Sequence, residues 1–157
     1  MTDSDNVKIE DVRITNNVTG SAGGIAAQYS KNISIVRSLI DNNRSGRGGG
    51  LGIGEGTVTI SNSTITANNS TELAGGGIYI TNNSLTVTNS IIWGNTNSDV
   101  YLYPYYIGTT SLNINNSDVG GYAGGTGNIS SDPKFISSTD YHLQADSPAA
   151  NMGIYPR

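Results

Sequence analysis

Short stretches in which aliphatic and polar residues alternate recur along the chain, 25 to 27 residues apart. In every copy the first, third and eighth positions are aliphatic, and in the first four copies the eleventh position is Asn. Alternation with a period of two predicts strands, and the many β-branched residues favour the same structure. The copies span residues 7–17, 33–43, 58–68, 85–95 and 112–122.

A second aliphatic block follows each of the first four copies, and a Gly-Gly pair precedes it in three of them. We expect these Gly pairs to serve backbone geometry. Two or three short strands per repeat predict a β-solenoid, in which each copy forms one coil and equivalent strands pair in parallel. The expected fold is therefore all-β, with about five coils and buried aliphatic columns. One such column consists of Ile35, Ile60, Val87 and Ile114.

The eleventh column of the repeat consists of Asn17, Asn43, Asn68 and Asn95. Asn tolerates a positive φ at a tight corner better than other non-Gly residues, so we predict this conformation for the column. Stacked amides also hydrogen-bond from coil to coil, which satisfies them in a buried corner. Both reasons favour a structural ladder over a ligand site made of four amides.

The composition is low in charge: charged residues are 13% of the chain, and the formal net charge is −4. Because Lys and Arg number only 8 and form no basic run, a nucleic-acid partner is not expected. No apolar stretch is long enough to span a membrane. Cys is absent and the single histidine, His142, cannot form a zinc site alone, so we predict no cofactor and no metal site.

Aromatic residues gather in the fourth copy and the segment after it. Alternation along the strands points Trp93 and Tyr101 outward, and exposed aromatic side chains are typical of surfaces that bind sugars or partner proteins. The alternative interpretation is that residues 101–108 form a long loop that folds back on the solenoid wall. The candidate binding residues are Trp93, Tyr101, Tyr103, Tyr105 and Tyr106.

Acidic residues are scattered over the predicted coils and are not gathered as a calcium-dependent lyase or a hydrolase requires. Asp11 and Arg37 occupy one column of the repeat, so we expect them to form an ion pair between coils. One group of mixed charge is expected to be a solvated corner. It comprises Asp41, Arg44, Arg47 and Glu72.

Three motifs occur near the end of the chain: Asp132-Pro133-Lys134-Phe135, Asp140-Tyr141-His142-Leu143 and Ser147-Pro148-Ala149-Ala150-Asn151-Met152-Gly153. With the repeated coils, the chain resembles right-handed parallel β-helix proteins of the pectate-lyase-like superfamily. Its C-terminal motifs resemble those of bacterial choice-of-anchor Q proteins, although Ala150 stands where Ile is more usual. The resemblance implies one domain over residues 1–157, with coils at about 7–126 and a C-terminal cap at about 127–157. It also implies the C-terminal part of a longer, secreted or cell-surface bacterial protein.

The resemblance implies no reaction, since the superfamily includes lyases, hydrolases, epimerases and adhesins. We therefore favour a non-catalytic structural or binding module, with a polysaccharide or another protein as its partner. The first alternative is a fragment of a polysaccharide-active enzyme, of lyase or epimerase type, that lacks most of its active site. A third hypothesis is ice binding by the Thr-x-Thr segments 57–59 and 86–88.

The two ends of the predicted solenoid differ. We expect Phe135, Tyr141 and Leu143 to pack over or beside the last coils and to end the stack, with His142 packed in the same cap. The short polar segment before Val7 has no comparable motif. An exposed first coil with an unpaired strand edge favours self-association end to end.

Overall fold

The computed structural model describes residues 5–72, 74–103, 110–122 and 124–153. In these residues the chain is all-β, and its strands form sheets in which every pairing between named strands is parallel. Four complete coils and a fifth that supplies strands to two sheets build a β-solenoid. The predicted fold class is confirmed.

Three sheets run along the solenoid, and a short two-stranded sheet lies at one corner. The first sheet contains β1 (Lys8–Glu10), β4 (Ser30–Val36), β8 (Gly56–Ser61), β12 (Asn83–Thr88) and β15 (Ser111–Asn115). The second contains β2 (Arg13–Thr15), β5 (Leu39–Asp41), β9 (Thr64–Thr66), β13 (Ile91–Trp93) and β16 (Asp118–Val119). The third contains β3 (Ile25–Ala27), β7 (Leu51–Ile53), β11 (Ile78–Ile80) and β14 (Val100–Leu102). The corner sheet pairs β6 (Arg44–Ser45) with β10 (Asn69–Ser70).

The core is a set of aliphatic columns inside the coils, to which all three sheets contribute. Residues one coil apart are direct partners, as Ile35 and Ile60 are on the first sheet. The predicted column is confirmed, since all four of its side chains are 0% exposed: Ile35, Ile60, Val87 and Ile114. Full burial of one such side chain contributes about 1.5–3 kcal/mol.

The corners on either side of the second sheet are formed by residues with positive φ. One column precedes that sheet and includes Asn62, Asn89 and Asn116, each with φ of 50°. Another follows it and comprises Asn16, Asn42, Ala67, Gly94 and Gly121. The Asn column of the repeat lies one residue further along and has no positive φ, so that part of the prediction was wrong. The residue before each of these asparagines makes the turn.

The Gly-Gly pairs are required by the close approach of successive coils. A Cβ on Gly50 would lie 2.6 Å from the carbonyl oxygen of Gly77, and a Cβ on Gly76 would lie 2.0 Å from that of Thr96. Neither Gly50 nor Gly76 has a positive φ. Gly is therefore required at these positions because a side chain would clash with the next coil, and not because the backbone conformation is unusual.

The C-terminal segment, defined as residues 132–153, lies beside the coils, next to the second sheet. Phe135 and Leu143 form an antiparallel bridge that folds it into a hairpin. Its Tyr141 Oη accepts a hydrogen bond of 3.1 Å from Asn42 Nδ2, which belongs to the second coil. The C-terminal segment was predicted to pack over or beside the last coils, and the structure shows it beside them. The segment also extends back along the solenoid as far as the second coil.

Different residues pair with the fifth coil at the end of the stack. Thr126 bridges Asn115 of β15, and Ile129 bridges Asp118 of β16. The expectation that Phe135, Tyr141 and Leu143 end the stack was therefore wrong. Short extended pieces upstream of the C-terminal segment supply the last hydrogen bonds to the strand edges.

Candidate functional site

The asparagine ladder occupies the corner that follows the second sheet. Asn17, Asn43 and Asn68 each donate from Nδ2 to Oδ1 of the next rung, at 2.9, 3.0 and 2.9 Å. Asn68 Nδ2 also donates to the carbonyl oxygen of Ile40 at 2.9 Å. Because the amide of Asn68 is fully used within the wall and 0% exposed, it offers nothing to a ligand.

Asp99 takes the rung after Asn95, a role that sequence reasoning missed. Its Oδ1 accepts hydrogen bonds from the backbone nitrogen and Nδ2 of Asn95, at 2.9 and 2.7 Å. Burial raises the pKa of Asp99, while the hydrogen bonds from Asn95 oppose that shift. Asp99 therefore closes the ladder at the point where the fifth copy has no Asn.

The predicted aromatic group separates into two surfaces. Tyr101 belongs to β14 on the third sheet, and Tyr103 follows that strand. Trp93 belongs to β13 on the second sheet. Tyr105 and Tyr106 lie outside the described residues. The sequence places these residues close together, but the corner that contains the ladder separates Trp93 from the tyrosines.

The tyrosine cluster comprises Tyr79, Tyr101 and Tyr103. The rings of Tyr79 and Tyr101 are stacked, with centroids 5.8 Å apart and planes 9° apart, and Tyr103 lies 6.0 Å from Tyr79. The Arg47 guanidinium lies 5.9 Å from the Tyr79 centroid, and its Nε is 2.9 Å from Oε2 of Glu72. Tyr79 thus has the ring of Tyr101 stacked against it and a paired cation near its centroid. Sequence reasoning missed Tyr79, although the repeat register places it directly beside Tyr101.

The lateral groove separates the second sheet from the C-terminal segment and has a volume of about 460 Å³. Three half-buried aromatic side chains line it: Trp93 from the second sheet, and Phe135 and Tyr141 from the C-terminal segment. The rings of Phe135 and Tyr141 meet edge to face, with centroids 5.2 Å apart. The other lining residues are Thr66, Ala67, Gly94, Asp132, Lys134, Ser137, Ser138 and Gln144.

The missing side chain of Gly120, in the coil after Trp93, makes room for the carboxylate of Asp99. A Cβ on Gly120 would lie 3.4 Å from Cε3 of Trp93 and 2.0 Å from Oδ2 of Asp99. The opposite wall is held by Gln144, whose Nε2 donates to the carbonyl oxygen of Phe135 at 2.9 Å. The C-terminal wall of the groove is therefore held by a hydrogen bond within the C-terminal segment.

A family model described as "Right handed beta helix region" matches residues 1–142. The chain belongs to the right-handed β-helix family. The match includes every coil and most of the C-terminal residues that line the lateral groove. No curated protein and no solved structure matches the chain. Within the described residues, no helix has the length and apolar character needed to cross a membrane.

Ion pairs join neighbouring coils of this β-helix. The predicted pair of Asp11 and Arg37 is confirmed, with two contacts of 2.8 Å. The predicted corner group is not one cluster, because Asp41 pairs with Arg13 through contacts of 2.9 and 2.8 Å, whereas Arg47 pairs with Glu72. Burial raises the pKa of Asp41, but hydrogen bonds from Arg13 and Asn42 outweigh it and lower the pKa.

His142 does not pack in a cap as expected. Its side chain is 88% exposed, and Nδ1 lies 2.6 Å from Oδ1 of Asp140. In the described parts of this β-helix, no three His, Asp or Glu side chains lie close enough together to hold a metal ion.

Asp118 is a buried carboxyl group beneath the start of the C-terminal segment. The residue is 1% exposed, Oδ1 accepts a 3.2 Å hydrogen bond from the Ser131 backbone, and Oδ2 is buried without a hydrogen-bond partner. Burial raises the pKa of Asp118 to about 6, and the nearby carboxylates of Asp132 and Asp99 act in the same direction. Ionisation of this group therefore destabilises the folded β-helix.

Replacing Asp118 by Asn is expected to stabilise the β-helix above pH 7. The pKa of Asp118 is raised from an ordinary value of 3.8 to about 6, so its contribution to stability is complete below pH 4 and is lost as the pH rises through 6. Asn stays neutral, and the expected gain at pH 8 is about 2 kcal/mol. Urea denaturation of both proteins at pH 5 and pH 8 measures it. A variant that gains nothing at pH 8 relative to pH 5 would show that Asp118 ionises without cost.

Proposed function

We propose that this β-helix protein is a non-catalytic binding module that holds a glycan in the lateral groove. The observation that carries the proposal is the meeting of Trp93, Phe135 and Tyr141 in one groove with hydroxyl and amide groups. Sugar rings pack their C–H faces on aromatic side chains, and their hydroxyls hydrogen-bond to polar groups at the edges. Membership of the β-helix family supports a structural, binding or polysaccharide-related role at the level of the fold.

The lateral groove suits a glycan better than the tyrosine cluster does. The groove is concave, and its aromatic side chains come from two walls that face each other across it. In the tyrosine cluster, the ring of Tyr79 is already stacked with Tyr101 and contacts Arg47, so it is less available to a sugar. The tyrosine cluster, with Tyr101 and Tyr103 from the sequence-based candidates, is proposed as a secondary contact surface.

Secretion or surface display is part of this proposal, as is the finer relationship to choice-of-anchor Q proteins. The three C-terminal motifs support both, and two of them supply Asp132, Phe135 and Tyr141 to the groove. End-to-end association through the first coil is a separate proposal, supported by the edge strand β1 and by Val18, which is 73% exposed. Sedimentation over a concentration series is its test.

Calorimetric titration against a panel of glycan oligomers tests the proposed function. The variants Trp93→Ala and Tyr141→Ala are expected to bind about tenfold more weakly than the wild type, because each removes one aromatic contact. Tyr29→Ala is the matched control, since Tyr29 is 58% exposed and belongs to the first coil. It is expected to bind like the wild type.

Three results would count against the proposal. Unchanged affinity in both groove variants, with loss in Tyr101→Ala, would move the site to the tyrosine cluster. Absence of binding to every oligomer would reject the glycan-binding function. Shortened or unsaturated products from polygalacturonate in the presence of Ca²⁺ would favour the alternative, a polysaccharide-active fragment.

A further inference from the structure

Lys134, the cationic residue in the lining of the lateral groove, already forms an ion pair. Lys134 Nζ lies 2.6 Å from Oδ2 of Asp146, and this ion pair belongs to the C-terminal segment itself. Asp132, by contrast, accepts only a backbone hydrogen bond, of 2.9 Å from Lys134 N to Oδ1, and forms no ion pair with any described residue. The groove therefore combines three aromatic side chains with an uncompensated, exposed carboxylate.

A second carboxyl group, that of Asp118, lies near Asp132 but outside the lining of the groove. Asp118 accepts a hydrogen bond from Ser131, the residue before Asp132, and its Oδ2 has no partner. The charged groups that act on Asp118 are Asp132 and Asp99, and both are acidic. A ligand that brings positive charge to Asp132 would relieve this like-charge repulsion, whereas an anionic ligand would add to it.

Two arginines, Arg13 and Arg47, pair with other carboxylates and do not neutralise the charge of Asp132. Arg13 makes two contacts to the buried carboxylate of Asp41, and Arg47 pairs with Glu72 beside the third sheet. A chain of uronic acids needs unpaired Arg or Lys side chains for its carboxylates. The lining of the lateral groove offers none among the described residues.

We infer that the lateral groove selects glycans that carry protonated amino groups, as in a chain of deacetylated hexosamines. Aromatic side chains attract a cation over the ring face, and Asp132 supplies the opposite charge within the same groove. The sugar rings supply the C–H faces that the aromatic side chains also contact. This inference rests on the proposed function and names the ligand class of that site.

The test is calorimetric titration of the full chain at pH 6 and about 20 mM salt. The probes are the tetramers of glucosamine, N-acetylglucosamine and galacturonic acid. We expect the glucosamine tetramer to bind about tenfold more tightly than the N-acetylated tetramer, and the galacturonic acid tetramer to bind most weakly. Raising the salt to about 300 mM is expected to reduce the preference, because charge interactions at an exposed site are screened.

Two substitutions distinguish the effect of the charge at Asp132 on binding from the effect of the net charge of the protein. Asp132→Asn is expected to bring the glucosamine preference down to about twofold. Glu55→Gln removes the same charge from an exposed position outside the groove and is expected to retain the wild-type preference. If Asp132→Asn kept the full preference, the inference would be overturned.

The outcomes also separate this inference from the proposed function. Equal binding of the glucosamine and N-acetylglucosamine tetramers, or tightest binding of the galacturonic acid tetramer, would overturn the charge selection and leave the glycan-binding function standing. If none of the three tetramers bound, both proposals would fail.

Discussion

Asn68→Asp is expected to lower the free energy of unfolding by about 4 kcal/mol. Asn68 Nδ2 donates to the carbonyl oxygen of Ile40 and to Oδ1 of Asn95, both at 2.9 Å. An aspartate oxygen in that position has no proton to donate and would face two acceptors. It would also place an unpaired charge where the side chain is 0% exposed. Asn68→Ser removes the same donors without adding charge, so a smaller loss of about 2 kcal/mol is expected.

Chemical denaturation at pH 7 compares these two variants, and the same change at Asn17 is the control. Asn17 is the exposed first rung, and its Nδ2 donates to Oδ1 of Asn43 at 2.9 Å. We expect Asn17→Asp to cost less than about 1 kcal/mol, because water solvates the added charge. Equal destabilisation by Asp and Ser at position 68 would contradict the hydrogen-bonded ladder.

Ile60→Ala is expected to cost about 2–5 kcal/mol, since it removes a fully buried side chain and leaves a cavity. Ile60 lies at the centre of its column, between Ile35 and Val87, and is 0% exposed. Its neighbour Thr59 points outward on the same strand, so Thr59→Ala is the matched control and is expected to cost less than about 1 kcal/mol. A larger loss for Thr59→Ala than for Ile60→Ala would mean that the strand faces are reversed.

The coils could be predicted because two independent regularities agree. Alternation with a period of two identifies the inward side chains, and the recurrence of the same columns fixes which residues pair, as for Ile60 and Val87. The repeat pattern does not identify which corner residue has the positive φ. Asn42 and Asn43 are both polar and both occur at the corner, and only the backbone shows that Asn42 has the positive φ of 53°.

The lateral groove could not be predicted because the C-terminal segment does not follow the repeat. Nothing in the sequence fixes the sheet against which Phe135 and Tyr141 pack, and Trp93 is about 40 residues away from them. The role of Asp99 was hidden for a related reason, since the fourth copy lacks the Gly-Gly block that aligns the other three. Tyr79, in contrast, could have been found by applying the repeat register to Tyr101.

Fluorescence of Trp93 is the most direct test of glycan binding in the lateral groove. Because the chain has 1 Trp, its emission reports on this groove alone. We predict that saturation with a tetramer that binds in calorimetry shifts the emission to shorter wavelength and protects Trp93 from quenching by acrylamide. Unchanged emission and unchanged quenching, with the tetramer bound, would contradict the account by placing the glycan elsewhere on the β-helix.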